Sequence, residues 1–237
     1  MTLYSVSEIG DFAIPTGFDE QRAAAAAASL TERGLATLAG NTPVLIGDVT
    51  RLVTAGVTFD IALGISQQPR GVPERFWCYR CPDQLVLHNR STPGFEHFEL
   101  IEGPVALSAK LTTLLNATTL SAPEGRAFFI PKAALARAEQ LRAQTGDYAA
   151  HDVLRSLGCP ESFLLHVLDE TRQIVTVCIS LHETNGSFQA ETHTLMLIRA
   201  AQGYWLLEED IANPDQLAAQ PVDATTALHH LIAMLRL

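Results

Sequence analysis

Two segments of alternating hydrophobicity constrain the fold of this chain more than any other feature. In Val57–Ser66 every odd-numbered residue is a large apolar one, and the even-numbered residues are small or polar. Ile174–His182 repeats the pattern with isoleucine, valine and leucine at alternate positions. Because successive side chains of a strand point to opposite faces, this alternation predicts strands with one buried face, which is typical of antiparallel sheets. The sequence therefore predicts an α+β protein with a central antiparallel sheet and flanking helices.

The segments around these two strands predict the other elements of the fold. Turn residues and apolar runs predict further strands at Phe76–Cys81, Leu85–Arg90, Phe95–Ile101, Thr192–Ala200 and Tyr204–Leu207, with a tight hairpin at Asn185-Gly186. Capping residues and helical spacing predict helices from Thr16 to Gly34, Thr42-Pro43 to Gly56, Gly103 to Leu115, Pro131 to Gly146 and Asp147 to Leu157, from Pro160, and from Asp223 to Leu237.

These landmarks recur at a nearly constant offset along the chain. The matching pairs are Pro43 with Pro160, Val57 with Val175, Arg80 with Arg199 and Leu107 with Leu228. We therefore expect a single domain over residues 1–237, with an internal quasi-two-fold duplication of two halves at about 16–115 and 127–237 and a linker at 116–126. The alternative is that any α+β chain can be aligned this loosely. A lone half would leave both sheet edges bare, so one joined sheet of six to eight strands is expected.

Composition excludes several classes of protein. Hydrophobic residues make up 47% and charged residues 18% of the chain, which is enough for a sizeable core. The net charge of −10 argues against a nucleic-acid binder, which needs a basic surface. No apolar run is long enough for a transmembrane helix, and Glu8 and Asp11 do not fit a secretory signal. With four cysteines and no disulfide scaffold, the protein is predicted to be cytoplasmic with reduced thiols.

A C-x-x-C motif is the first candidate for chemistry. Cys78 and Cys81 are followed downstream by His88 and His97, a mixture of ligands that zinc accepts. A zinc knuckle usually has glycine after the second cysteine, whereas Pro82 stands there in this chain. Strand cysteines that behave as small hydrophobic residues explain the pair without a metal. We expect reduced, metal-free thiols, with a zinc site as the alternative.

The second candidate follows from strand register. If Asn185-Gly186 is a two-residue turn, Cys178 lies opposite His193 and Ser180 lies opposite Glu191. A cysteine beside a histidine with a carboxylate nearby is an arrangement used in thiol catalysis. The polar face of a hairpin explains the same residues, and no phosphate-binding or dinucleotide-binding motif is present. We therefore predict no catalytic residue, metal or cofactor, with a thiol-dependent enzyme and a small-molecule-binding module as alternatives.

Gly125–Ala134 (GRAFFIPKAA) is an apolar segment that leads into a predicted helix beginning at proline, and Leu154–Gly158 (LRSLG) ends another predicted helix. These segments and their order resemble the EspG family of cytosolic chaperones of type VII (ESX) secretion, which has an apolar strand leading into such a helix and a similar helix end. The hairpin strands, Gly203–Leu207 (GYWLL) and the leucine-rich helix at Thr226–Leu235 follow in the family's order. In the first half, Glu99–Leu115 stands where the family has a strand and a leucine-rich helix. The alanine-rich first helices and the Cys78/Cys81 pair depart from the family's pattern.

The resemblance implies a non-enzymatic chaperone that binds a helical secreted client of the PE/PPE or WXG kind and keeps it soluble. It also implies a contact surface made by the loop between the first two strands, Gln67–Pro73, and by the helix from Asp223. This loop has two prolines and a glycine, and Arg70 and Arg75 give it positive charge on an acidic chain. We expect Gln67, Gln68, Arg70 and Arg75 to contact the client. A homo-oligomer is left open.

Overall fold

The computed structural model describes residues 20–40, 42–67, 74–92, 95–117, 121–167, 175–184 and 187–237. The helices are α1 (Glu20–Glu32), α2 (Gly47–Thr58), α3 (Gly103–Leu114), α4 (Lys132–Thr145), α5 (Asp147–Ser156), α6 (Glu161–Val167) and α7 (Ala224–Met234). The strands are β1 (Ala36–Ala39), β2 (Thr42–Leu45), β3 (Ile61–Gln67), β4 (Glu74–Cys81), β5 (Gln84–Thr92), β6 (Phe95–Ile101), β7 (Phe128–Pro131), β8 (Val175–Thr184), β9 (Ser187–Arg199), β10 (Tyr204–Asp210) and β11 (Asn213–Val222). No helix among these residues is both long and apolar enough to cross a membrane.

A single large sheet organises the described part of the chain, and the predicted α+β class is confirmed. Nine of the described strands form it in the order β6-β5-β4-β3-β8-β9-β10-β11-β7, and neighbouring strands are antiparallel. The sheet is wider than the six to eight strands expected, because β11 was not predicted as a strand and β7 was indicated as one only by the family resemblance. Strand β11 contains Pro214 and Pro221 and many polar residues, which hides its alternation.

The two predicted halves meet at the pairing of β3 with β8. Outward from this pair, the strands on one side are β4, β5 and β6, and those on the other side are β9, β10, β11 and β7. The first three strands on each side follow the same order outward, as a two-fold duplication would require, and β7 has no counterpart among the described strands. Superposition of the halves and the extent of the single domain remain predictions.

In the N-terminal part of the chain, the structure differs from three of the sequence-based expectations. Thr42 and Pro43 do not open a helix: they lie in β2, which pairs with β1, and α2 begins only at Gly47. Strand β3 begins at Ile61 rather than at Val57, because α2 continues to Thr58 and fully buries Ala55 against the sheet. The landmark pairs that involve Pro43 and Val57 therefore do not match elements of the same kind.

Helices cover both faces of the sheet. On one face, α3 and α7 bury their leucines against residues from both sets of strands in one cluster. On the other face, α2 packs against the β3–β5 side, and α4, α5 and α6 pack against β9, β10, β11 and β7. The start of the predicted helix at Thr16 and the turn Asn185-Gly186 lie outside the described residues.

The centre of the sheet depends on one glycine. Gly64 of β3 lies between Trp77 of β4 and Val177 of β8 in the strand register. A Cβ atom at residue 64 would overlap the six-membered ring of Trp77, which is itself buried. The Trp77 ring thus occupies the space that a side chain at position 64 would need.

We expect Gly64→Ala to destabilise the protein by about 1–3 kcal/mol, because the rigid indole must leave its rotamer or the strands must separate. For a chain of this size, that corresponds to a fall in Tm of roughly 2–12 °C in a thermal unfolding experiment. Gly47→Ala is the matched control, since nothing lies within 4 Å of a Cβ placed there. An unchanged Tm for Gly64→Ala would contradict the proposed packing.

Candidate functional site

The structure places the ends of the predicted docking loop beside the centre of the sheet. Gln67 is the last residue of β3 and pairs with Glu74 of β4. Arg75 is the second residue of β4, opposite Ser66 of β3 and Arg90 of β5. Gln68 and Arg70 lie outside the described residues. The loop therefore follows β3, one of the two central strands at which the two sides of the sheet meet.

Helix α7, the other predicted contact element, begins at the same end of the sheet. The register carries Ser66 across β8, β9 and β10 to Ala219 of β11. Strand β11 continues from there to Val222, directly before α7. The loop and the start of α7 therefore share one end of the sheet, separated across the strands.

Both ends of α7 are tied by specific hydrogen bonds. At its start, the Asp223 carboxylate accepts a hydrogen bond from the Thr226 N–H at 2.7 Å. At its end, the Arg80 guanidinium of β4 donates to the carbonyl oxygens of Leu235 at 3.0 Å and Arg236 at 3.3 Å. A cation at a helix C-terminus satisfies carbonyl groups that have no partner within the helix. Sequence reasoning missed this role of Arg80, because no local pattern links positions so distant in the chain.

The hydrogen bond from the Thr226 backbone lowers the pKa of Asp223 below its ordinary value. We expect Asp223→Ala to lower Tm by about 2–4 °C at pH 7 through loss of the N-cap. Since the folded-state pKa is the lower one, this stabilisation is present above the unfolded pKa and is lost as pH falls through the folded pKa.

The Tm difference between Asp223→Ala and the parent, measured against pH, should therefore shrink in acid to the part that a neutral capping oxygen supplies. Asp223→Asn, which keeps a capping oxygen, is the control, and its Tm should approach that of the parent in acid. A difference between Asp223→Ala and the parent that is as large at the lowest pH as at pH 7 would contradict this account.

The C-x-x-C thiols do not form a shared site. Cys78 belongs to the core cluster beneath α3 and α7, whereas Cys81 belongs to the cluster beneath α2. Three residues apart on a strand, they point to opposite faces, so they cannot ligate one zinc ion. His88 is occupied elsewhere, with Nδ1 3.3 Å from the Tyr79 hydroxyl and its ring stacked on Phe98. Among the described residues, no three histidine, cysteine, aspartate or glutamate side chains lie close enough together to bind a metal ion.

Burial, followed by the nearby Cys81, raises the pKa of the Cys78 thiol to about 12. We expect Cys78, Cys81 and Cys159, all buried, to resist iodoacetamide in the native protein at neutral pH, because the thiolate is the reacting form. All three should react after denaturation, as mass spectrometry of tryptic peptides would show. Rapid native labelling of Cys78, or one equivalent of bound zinc, would overturn this picture.

The predicted register of the β8–β9 hairpin is correct. Cys178 lies opposite His193 and Ser180 opposite Glu191, and His193 Nε2 is 3.0 Å from a Glu191 carboxylate oxygen. Both of these side chains are exposed, and the Cys178 side chain lies outside the description. In this arrangement the Glu191 carboxylate orients the His193 imidazole. The thiol-enzyme alternative therefore depends on whether Cys178 is reactive at neutral pH.

Comparison with known proteins supports the fold. No protein-family model matches the sequence, and no curated protein matches it significantly. Among solved structures, the chain is similar to the Mycobacterium tuberculosis type VII secretion system chaperone EspG5, determined in complex with a PE25–PPE41 dimer. The TM-score is 0.62 at 13% sequence identity, and the match covers 88% of this chain and 83% of the other. The chain therefore has an EspG-like fold.

Proposed function

We propose that the protein is a non-enzymatic chaperone or adaptor that binds a helical client of type VII secretion and keeps it soluble before export. The likeness to EspG5, a chaperone solved with a PE25–PPE41 dimer, carries this proposal. The match extends over most of both chains. Such a role is exercised in the cytoplasm and needs no cofactor.

The proposed contact surface consists of the β3–β4 loop and α7. The loop and the start of α7 lie at the same end of the sheet, and the loop would supply Gln67, Gln68, Arg70 and Arg75. Its arginines are positive on a chain of net charge −10, which favours a client with acidic residues near its contact. The client's apolar helices would supply the buried part of the interface, as in other helix-binding proteins.

The test is the double variant Arg70→Glu/Arg75→Glu, with helical PE/PPE-like or WXG-like proteins co-expressed as clients. We expect co-purification to be lost, because charge reversal turns attraction into repulsion at the contact. Tm should stay nearly unchanged. Arg75 stands directly opposite Arg90, so a glutamate there replaces a like-charge pair with an opposite-charge pair.

Arg33→Glu/Arg126→Glu is the matched control, since it changes net charge equally at exposed positions outside both elements. The control should retain the client. If the loop variant binds with unchanged affinity, the loop is not the contact. If no helical client is retained by the parent protein, the chaperone role itself fails.

A further inference from the structure

The sheet opens into a cleft between β9 and β10. Their ladder ends at the pair Leu195 and Glu208, and the register of β10 shifts at Glu209 and Asp210. Strand β9 nevertheless extends back to Ser187, and it pairs with β8 from Ser187 to Met196. Residues 187–194 of β9 therefore have a strand on one side, and no described strand pairs with their other edge.

Apolar and polar groups line this cleft together. Ala233 and Met234 of α7 lie along it, His193 and Thr194 form the β9 side, and the β10–β11 turn closes it. At that turn Ile211 is 99% exposed. An unpaired strand edge beside apolar groups is a template for adding another strand.

The charged residues of the cleft indicate which kind of segment it can bind. Glu208 and Asp210 line it from β10, and Glu191 stands beside His193 on β9. Among the described residues that line it, Arg236 is the only lysine or arginine, although Lys132 pairs with the lining residue Glu209 and His230 lies 3.6 Å from Glu208. This negative surface attracts a cationic segment. The chain's own residues 1–19 contain no lysine or arginine, so they do not match it.

We propose that this cleft binds an extended, lysine- or arginine-rich segment of a partner protein, which pairs as an added strand with the edge of β9 that no described strand covers. Backbone hydrogen bonds to β9 supply sequence-independent affinity, and the acidic wall selects basic side chains. The cleft lies beside the last turns of α7, whereas the β3–β4 loop and the start of α7 lie at the other end of the sheet. Strand β10 lies three strands from β3, and the cleft opens toward the opposite end from the β3–β4 loop.

The probe is a fluorescein-labelled ten-residue peptide in which lysine alternates with threonine and valine. Fluorescence anisotropy should show binding that weakens as salt concentration rises. Two matched peptides separate the contributions. One has glutamate for lysine, and the other has proline at two threonine or valine positions, which removes backbone N–H donors. Each should bind at least tenfold more weakly.

Variants of the protein locate the site. Glu208→Gln/Asp210→Asn should weaken peptide binding about fivefold to tenfold, through loss of two half-buried charges. The asparagine keeps the oxygen that accepts from the Ala212 N–H. Ala233→Arg, at an exposed helical position, should abolish binding by filling the cleft with a cation. Asp48→Asn/Asp83→Asn is the control with the same change in net charge, and it should bind as the parent does.

Three outcomes would overturn the proposal. Equal binding of the proline peptide means that charge alone, without strand addition, holds the peptide. Equal weakening by the control variant means that total charge, and not this cleft, attracts it. If light scattering shows a dimer that excludes the peptide and that Ala233→Arg dissociates, the occupant is a second copy of the chain. None of these results bears on client binding at the β3–β4 loop.

Discussion

The pairing of β3 with β8 is the constraint on which the rest of the fold depends. It joins a set of four described strands to a set of five, and β3 and β8 would otherwise each be a bare edge at the middle of the sheet. The core cluster beneath α3 and α7 draws residues from both sets, including Leu63 of β3 and Leu197 of β9. This burial is possible only if the sheet is continuous, and Gly64 permits continuity by leaving room for Trp77.

A second link between the halves lies above the sheet. Arg80, from a strand of the first half, holds the last carbonyls of α7, the closing helix of the second half. The guanidinium also lies 3.8 Å from the Asp60 carboxylate. Its position is therefore fixed by one group from the first half of the chain and by carbonyl groups from the second half. Because α7 is one of the two proposed contact elements and β4 carries the loop, this link couples the placement of both.

The sequence predicted the parts of the fold that local chemistry controls. Alternation identified the two central strands, and Asn185-Gly186 was sufficient for the correct register of Cys178 with His193. The sequence did not predict β11, because its prolines and polar residues give no alternating pattern. Pairing with β10 and β7 makes this segment a strand. Thr42-Pro43 satisfies the rules for a helix start and for a short strand alike, and pairing with β1 decides between them. The loop residues of the candidate site were predicted from a family resemblance. The residue types of a loop do not by themselves identify the protein that it binds.

The chain contains two tryptophans, and the fold distributes them with a useful optical consequence. Trp77 is buried beneath α2 on one side of the β3–β8 junction, and Trp205 is buried against Phe128 and Phe163 on the other side. Each half therefore carries its own intrinsic fluorophore in an apolar environment. Single-tryptophan versions of the protein would report the emission of each half separately, and simultaneous red shifts during denaturation would show that the two halves unfold as one cooperative unit.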